Sequence, residues 1–65
     1  MSRDEFMDLV VAHFGDGWFT VGQLYAATRA PRGQLSTAAA WAAATGRLVR
    51  KPLAANPAVF EYRLS

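Results

Sequence analysis

The chain has 65 residues and a mass of 7.1 kDa, contains no cysteine, is 52% hydrophobic and bears a formal net charge of +2. This length predicts a single domain over residues 1–65, whose folding buries roughly 60% of the surface that the unfolded chain exposes. Such a small core leaves little room for a lined pocket, so we expect no enzyme, no cofactor and no small-molecule ligand. Because there is no cysteine, no disulfide is expected. His13 is the only histidine and cannot build a metal site alone, so no metal site is expected either.

Two further observations predict a protein that is neither secreted nor inserted in a membrane. The longest uncharged stretch, residues 33–46, has 14 residues and is interrupted by polar side chains, so it is too short to span a bilayer. The first eight residues contain three carboxylates, where a signal peptide needs a basic region and then a long apolar stretch. A soluble, cytoplasmic protein is therefore expected.

Charge is distributed unevenly along the chain. Residues 1–16 contain Arg3 and four carboxylates, whereas residues 17–65 contain six basic residues and only one carboxylate, Glu61. Such a separation is typical of a protein that contacts phosphates through a basic surface and keeps its acidic element elsewhere. The alternative, arginines that merely form a solvated face, stays open on charge alone.

The first predicted helix covers residues 3–14. Ser2 and Glu5 have the spacing of a capping box, and apolar residues follow them at helical intervals. His13 lies on the apolar side and is expected to be a packed or rim residue. Two glycines around Asp16 then predict the end of the helix and a tight turn.

A short aromatic run and a second helix follow. Trp18 and Phe19 are too few for a helix and predict a strand stub with both rings in the core. Thr20, with Gln23 three residues later, forms a second capping box and predicts a helix over residues 21–28.

The third predicted helix covers about residues 32–45, between Pro31 and Gly46. Its alanines favour helix strongly, and a glycine is a typical residue directly after a helix end. A projection at about 100° per residue places Leu35 and three alanines on a buried side. The opposite side bears Trp41 among small and polar residues.

The remainder of the chain predicts a two-stranded hairpin. Its strands are residues 47–51 and 58–64, and the loop between them, 52–57, begins and ends with proline. Tyr25 in the second helix and Tyr62 in the second strand are expected to be half-buried, with their hydroxyls at the rim. The predicted fold class is α+β, mainly α.

The predicted element order is helix, strand stub, helix, tight turn, helix and hairpin. This is the order found in winged helix-turn-helix domains, and the chain resembles that family over nearly its whole length. The positions that support the resemblance are Thr20, Val21, Leu24, Ala27, Leu35, Ala38, Ala39, Ala42, Gly46, Leu48 and Val49. Alanine stands at several sites where the family commonly has leucine. This implies closer helix packing and an interior filled by aromatic residues, namely Phe6, Phe14, Trp18, Phe19 and Phe60.

The resemblance implies that the third helix enters the major groove of double-stranded DNA. Gln34 would pair with adenine, Ser36 and Thr37 would reach bases or phosphates, and the basic residues would hold phosphates. The implied DNA contacts are Arg29, Arg32, Gln34, Ser36, Thr37, Trp41, Arg47, Arg50 and Lys51. The protein would be a transcriptional regulator, acting as a homodimer on a two-fold operator.

A second function stays open because the exposed side of the third helix has no basic residue after Arg32. A tryptophan on an alanine-lined surface is typical of a protein-binding hot spot. This helix and Trp41 would then dock a second copy or another protein, as part of a larger nucleic-acid-processing assembly. The structural alternative for Trp41 is packing against the hairpin, on Tyr62 or Leu48.

Overall fold

The computed structural model describes residues 1–65 and contains three helices followed by a two-stranded antiparallel sheet, an α+β arrangement that is mainly α. The elements are α1 (Arg3–Phe14), α2 (Val21–Thr28), α3 (Arg32–Ala44), β1 (Leu48–Pro52) and β2 (Phe60–Leu64). The predicted bounds of α1 and α2 are confirmed. Both strands begin later than predicted, and α3 ends one residue earlier because Thr45 is its C-cap. None of the helices has the length and apolar character that crossing a membrane requires.

Side-chain caps explain where α1 and α2 begin. In α2 both bonds of the capping box form: Gln23 donates its backbone N–H to Thr20 Oγ1 at 3.1 Å, and Thr20 donates its N–H to Gln23 Oε1 at 2.9 Å. In α1 the hydroxyl of Ser2 accepts from the backbone N–H of Glu5 at 3.1 Å. These bonds satisfy amides that have no partner within the helix.

The sheet is extended by the predicted strand stub. β1 and β2 pair from Leu48 opposite Leu64 to Pro52 opposite Phe60. Phe19 forms an isolated antiparallel bridge to Tyr62 on β2, with N–O distances of 2.8 and 2.7 Å. The middle of β2 therefore has a hydrogen-bonded neighbour on each side.

The core lies between the three helices and the inner face of this sheet. Every element contributes to it, through Phe6, Val10, Phe19, Leu24, Leu35, Ala39, Ala42, Leu48 and Tyr62. The ring of Phe14 is half-buried and stacks on Phe19, with centroids 5.1 Å apart. Phe60 is also half-buried. Aromatic side chains thus supply much of the apolar volume that the alanines of α3 leave unfilled.

Three side-chain predictions are wrong. Trp18 is 38% exposed instead of buried, because successive side chains of an extended segment point to opposite faces and Phe19 takes the core side. Tyr62 is buried rather than half-buried, since its ring lies 5.9 Å from that of Phe19 inside the core. His13 is exposed on α1 rather than packed or at the rim of the core.

Candidate nucleic-acid interface

The outer face of α3 is the surface that the helical projection predicts. Leu35, Ala39 and Ala42 are buried, and the residues on the opposite side are exposed except for Trp41, which is half-buried. We define this outer face by its residues Gly33, Gln34, Ser36, Thr37, Ala40, Trp41 and Ala44. The predicted register of α3 is confirmed.

Trp41 is neither a bare aromatic patch nor a fully buried side chain. Its indole packs against the edge of the core. The guanidinium Cζ atoms of Arg3 and Arg47 each lie 4.8 Å from the centroid of its ring. Two cations from other parts of the chain therefore lie beside the middle of α3, where the helix itself has none.

The start of α1 lies against the first half of the outer face. Arg3 and Met1 line an open cavity of about 500 Å³ together with Gln34, Thr37 and Trp41. The amino group of Met1 donates to Gln34 Oε1 at 3.3 Å, and the hydroxyl of Thr37 donates to the carbonyl of Gly33 within the helix. The acidic N-terminal segment thus contributes its single arginine to this face.

Arg3 is the residue that sequence reasoning missed. Because Arg3 lies within the acidic segment of residues 1–16, the sequence does not predict it among the DNA contacts. One signal points to it: a cation in the first turn of a helix opposes the helix dipole, so helix stability does not explain its position.

The amino end of α3 combines two arginines with backbone amides that have no side-chain cap. Its N-cap is Pro31, which provides no capping hydrogen bond, in contrast to the N-caps of α1 and α2. The guanidinium groups of Arg29 and Arg32 lie 5.5 and 6.0 Å from the ring of Tyr25. Free amides at a helix N-terminus together with guanidinium donors suit a phosphate group.

Arg29 adopts a strained backbone conformation. It is the C-cap of α2, with φ 57° and ψ 16°, and its N–H donates to the carbonyl of Tyr25 at 2.7 Å. Glycine is the usual residue in this left-handed position, and any other residue costs roughly 1–2 kcal/mol there. The presence of an arginine at this strained site favours a functional role for its side chain.

Arg50 borders the second half of the outer face. Its guanidinium lies 4.5 Å from the centroid of Phe60. It also lines an open groove of about 380 Å³ between α3 and β1, together with Ala40, Ala43 and Ala44. The candidate contacts Arg47 and Arg50 are therefore both brought next to α3.

Lys51 is not brought to this face. Adjacent residues of a strand point to opposite sides, so Lys51 faces away from the side on which Arg50 lies. Its Nζ atom is 4.4 Å from the ring centroid of Trp18 and 3.8 Å from Glu61 Oε2, and Arg63 Cζ is 5.2 Å from the same ring. Lys51 thus belongs with Trp18 on the outer side of the sheet, apart from the other candidate contacts.

Comparison with known proteins provides no relative from which to infer a function. No protein-family model, curated protein or solved structure matches this chain. The His, Asp and Glu side chains form no group of three that could hold a metal ion.

The positive charge of the protein is almost entirely unpaired. All seven basic residues lie over aromatic rings, at 4.4 to 6.0 Å from the centroids. Only Lys51 also contacts a carboxylate, and residues 17–60 contain no Asp or Glu. A guanidinium stacked on a ring is held in place but keeps its charge and N–H donors. The surface around α3 can therefore bind a polyanion without first breaking an ion pair.

Proposed function

We propose that this protein is a winged helix-turn-helix DNA-binding protein that inserts α3 into the major groove and acts as a transcriptional regulator. In this proposal α2 and α3 form the helix-turn-helix, the hairpin of β1 and β2 forms the wing, and the protein has no catalytic role. The proposal rests on the unpaired cations that surround the outer face of α3. We call them the α3 arginine set: Arg3, Arg29, Arg32, Arg47 and Arg50.

The dimensions of α3 and the positions of these cations support binding to a duplex. At 1.5 Å per residue, the 13 residues of α3 extend about 20 Å. The major groove is about 12 Å wide and admits an α-helix. Arg3 and Arg50 border different sides of the outer face, next to Gln34 and Ala40 respectively. Cations on both sides of a groove-bound helix suit the phosphates of both strands.

The outer face itself supports base contacts because most of its side chains are small and its N-terminal half is polar. Gln34 pairs with adenine through its side-chain amide once its hydrogen bond to Met1 is released. Ser36 reaches bases or phosphates, and the hydroxyl oxygen of Thr37, whose hydrogen is donated to Gly33, accepts from a base. Ala40 allows close approach and suits the methyl group of thymine. Trp41, covered by two arginines, positions those cations beside the groove.

The first experiment measures binding of the whole chain to a labelled random-sequence duplex by fluorescence anisotropy, at about 50 mM and 200 mM salt. We expect binding at the lower salt that weakens steeply at the higher salt, because phosphate contacts release counterions. Absence of binding at the lower salt would refute the proposal.

Specificity is tested at Gln34 after selection of a preferred site from a random duplex pool. Gln34→Ala should cost about 1–3 kcal/mol at one A·T pair and little on random duplex. Arg50→Ala should instead weaken binding to all duplexes similarly, and Arg50→Lys should restore most of that loss. A variant at Gln34 that weakens all duplexes alike would contradict its role in base recognition.

One observation favours a second candidate function, docking of a protein partner or a second copy. The groove between α3 and β1 is lined by Ala40, Ala43, Ala44 and Leu48, a largely apolar surface. This candidate predicts self-association that salt does not weaken and that Ala44→Glu abolishes. Light scattering without DNA tests it: a monomer for the unmodified chain would contradict self-association through this groove.

A further inference from the structure

The outer side of the hairpin presents a second basic and aromatic surface, separate from the outer face of α3. The register places Val49 opposite Arg63 and Lys51 opposite Glu61, so these four side chains share one side of the sheet. Trp18 lies on the same side, because its ring contacts Lys51 and Arg63. The proposed duplex binding by α3 leaves this surface without a role.

Exposure distinguishes Trp18 from the aromatic residues of the core. Trp18 is 38% exposed, as is Val49, whereas Phe19 beside it is fully buried. Burying Trp18 would remove apolar surface from water, yet the strand stub directs it outward. The outward direction of Trp18 leaves a partly exposed aromatic ring beside two cations.

The chemistry of this surface fits an unpaired nucleobase. An exposed indole provides a flat face on which any base can stack, and cations beside it attract the phosphates of the same strand. Lys51 and Arg63 are diagonal neighbours across the two strands, about 7–8 Å apart at Cα, so they suit two phosphates rather than one. Bases inside a duplex already stack on one another and expose only their edges.

We propose that the outer side of the hairpin binds single-stranded nucleic acid, with one unpaired base stacked on Trp18 and the adjoining phosphates held by Lys51 and Arg63. The ammonium group of Lys51 moves from the ring to a phosphate when the base arrives. Its side chain is 54% exposed, and its long flexible stem permits this exchange.

A membrane surface is the less favoured occupant. Insertion among lipid headgroups requires a larger apolar surface than Trp18 and Val49 provide. The carboxylate of Glu61 lies on this side of the sheet, 3.8 Å from Lys51 Nζ, and opposes any phosphate there, so the small apolar area is what disfavours a membrane.

The experiment uses the whole chain and the intrinsic fluorescence of its two tryptophans, Trp18 and Trp41. In Trp41→Phe the only indole is that of Trp18, so quenching on addition of a short oligothymidylate reports stacking at this site. Affinity is then compared for the oligothymidylate, an abasic strand with the same number of phosphates, a blunt duplex and anionic phosphatidylserine vesicles.

We expect quenching by the oligothymidylate and about tenfold weaker binding of the abasic strand, the effect that loss of one stacked base produces. Trp18→Ala should weaken oligothymidylate binding about tenfold and Trp18→Phe much less, while duplex binding stays unchanged. Val59→Ala is the matched control, since Val59 is a similarly exposed apolar residue of the hairpin loop and should bind as the unmodified chain does.

Equal affinity for the abasic strand and the oligothymidylate would overturn the proposal, because charge alone would then explain binding. Trp18 fluorescence that changes with vesicles but not with the oligothymidylate would also overturn it and assign this surface to a membrane. If the chain does not bind the blunt duplex but the oligothymidylate still quenches Trp18 fluorescence, only the function proposed for α3 is refuted. If Trp18→Ala does not fold, the abasic comparison and the quenching in Trp41→Phe decide the question.

Discussion

Replacement of Arg3 tests the α3 arginine set most directly, because only the folded structure brings this residue to α3, 4.8 Å from the ring of Trp41. If each of the five arginines neutralises one phosphate, log K for duplex DNA falls with log salt at a slope of about −4.5. A rise from about 50 to 200 mM salt then weakens binding about 500-fold. For Arg3→Gln the slope should be about −3.6, and the same rise should weaken binding only about 150-fold.

Fluorescence anisotropy with a random-sequence duplex at several salt concentrations measures these slopes. Arg3→Lys is the matched control, since it keeps the charge and should keep the slope of the unmodified chain. The fold should survive both changes, because an exposed cation–π contact contributes only about 0.5–1 kcal/mol. An unchanged slope in Arg3→Gln would refute the reasoning and leave Arg3 a purely structural role against Trp41.

Three further predictions concern stability and are measured by urea unfolding. Gly22→Ala should raise the free energy of unfolding by about 0.5–1 kcal/mol, because alanine favours a helix more than glycine does. A Cβ has room there, since it would lie 3.5 Å from Arg32 and 3.7 Å from Thr20, which are ordinary contact distances. Gly46→Ala should lower it by about 1 kcal/mol, since φ is +80° at this turn; a gain in stability would be inconsistent with that conformation. Phe19→Ala should lower it by about 3–5 kcal/mol, which is a large part of the roughly 3–10 kcal/mol expected for a domain of this size. A midpoint for Phe19→Ala close to that of the unmodified chain would show that the core does not depend on this ring.

The helices were predictable because the signals that define them are local. The residues that begin α1 and α2 form hydrogen bonds to amides three residues away, so their spacing in the sequence is enough to locate each start. The two sides of α3 were predictable because helical periodicity alone separates Leu35 from Gln34. These predictions needed no knowledge of what the helices pack against.

The candidate site was only partly predictable. The arginines at the amino end of α3 are close to it in sequence, and Arg47 and Arg50 follow it directly, so their proximity was expected. The direction of Lys51 depends on strand register, and that of Trp18 depends on Phe19 pairing with Tyr62. Neither the register of β1 and β2 nor the pairing of Phe19 with Tyr62 can be predicted from the residues that lie between the paired positions in the sequence.

Neighbouring residues were enough to predict the order of the elements, the bounds of α1 and α2, the exposed side of α3 and a basic region almost free of carboxylates. The contacts between cations and aromatic rings from distant segments became visible in the folded chain alone. Arg3 lies 38 residues before Trp41 in the sequence yet reaches its ring, and Trp18 meets Lys51 and Arg63 across the sheet. Such contacts escape local sequence signals because packing of the shared core sets the distances between segments that are remote in sequence.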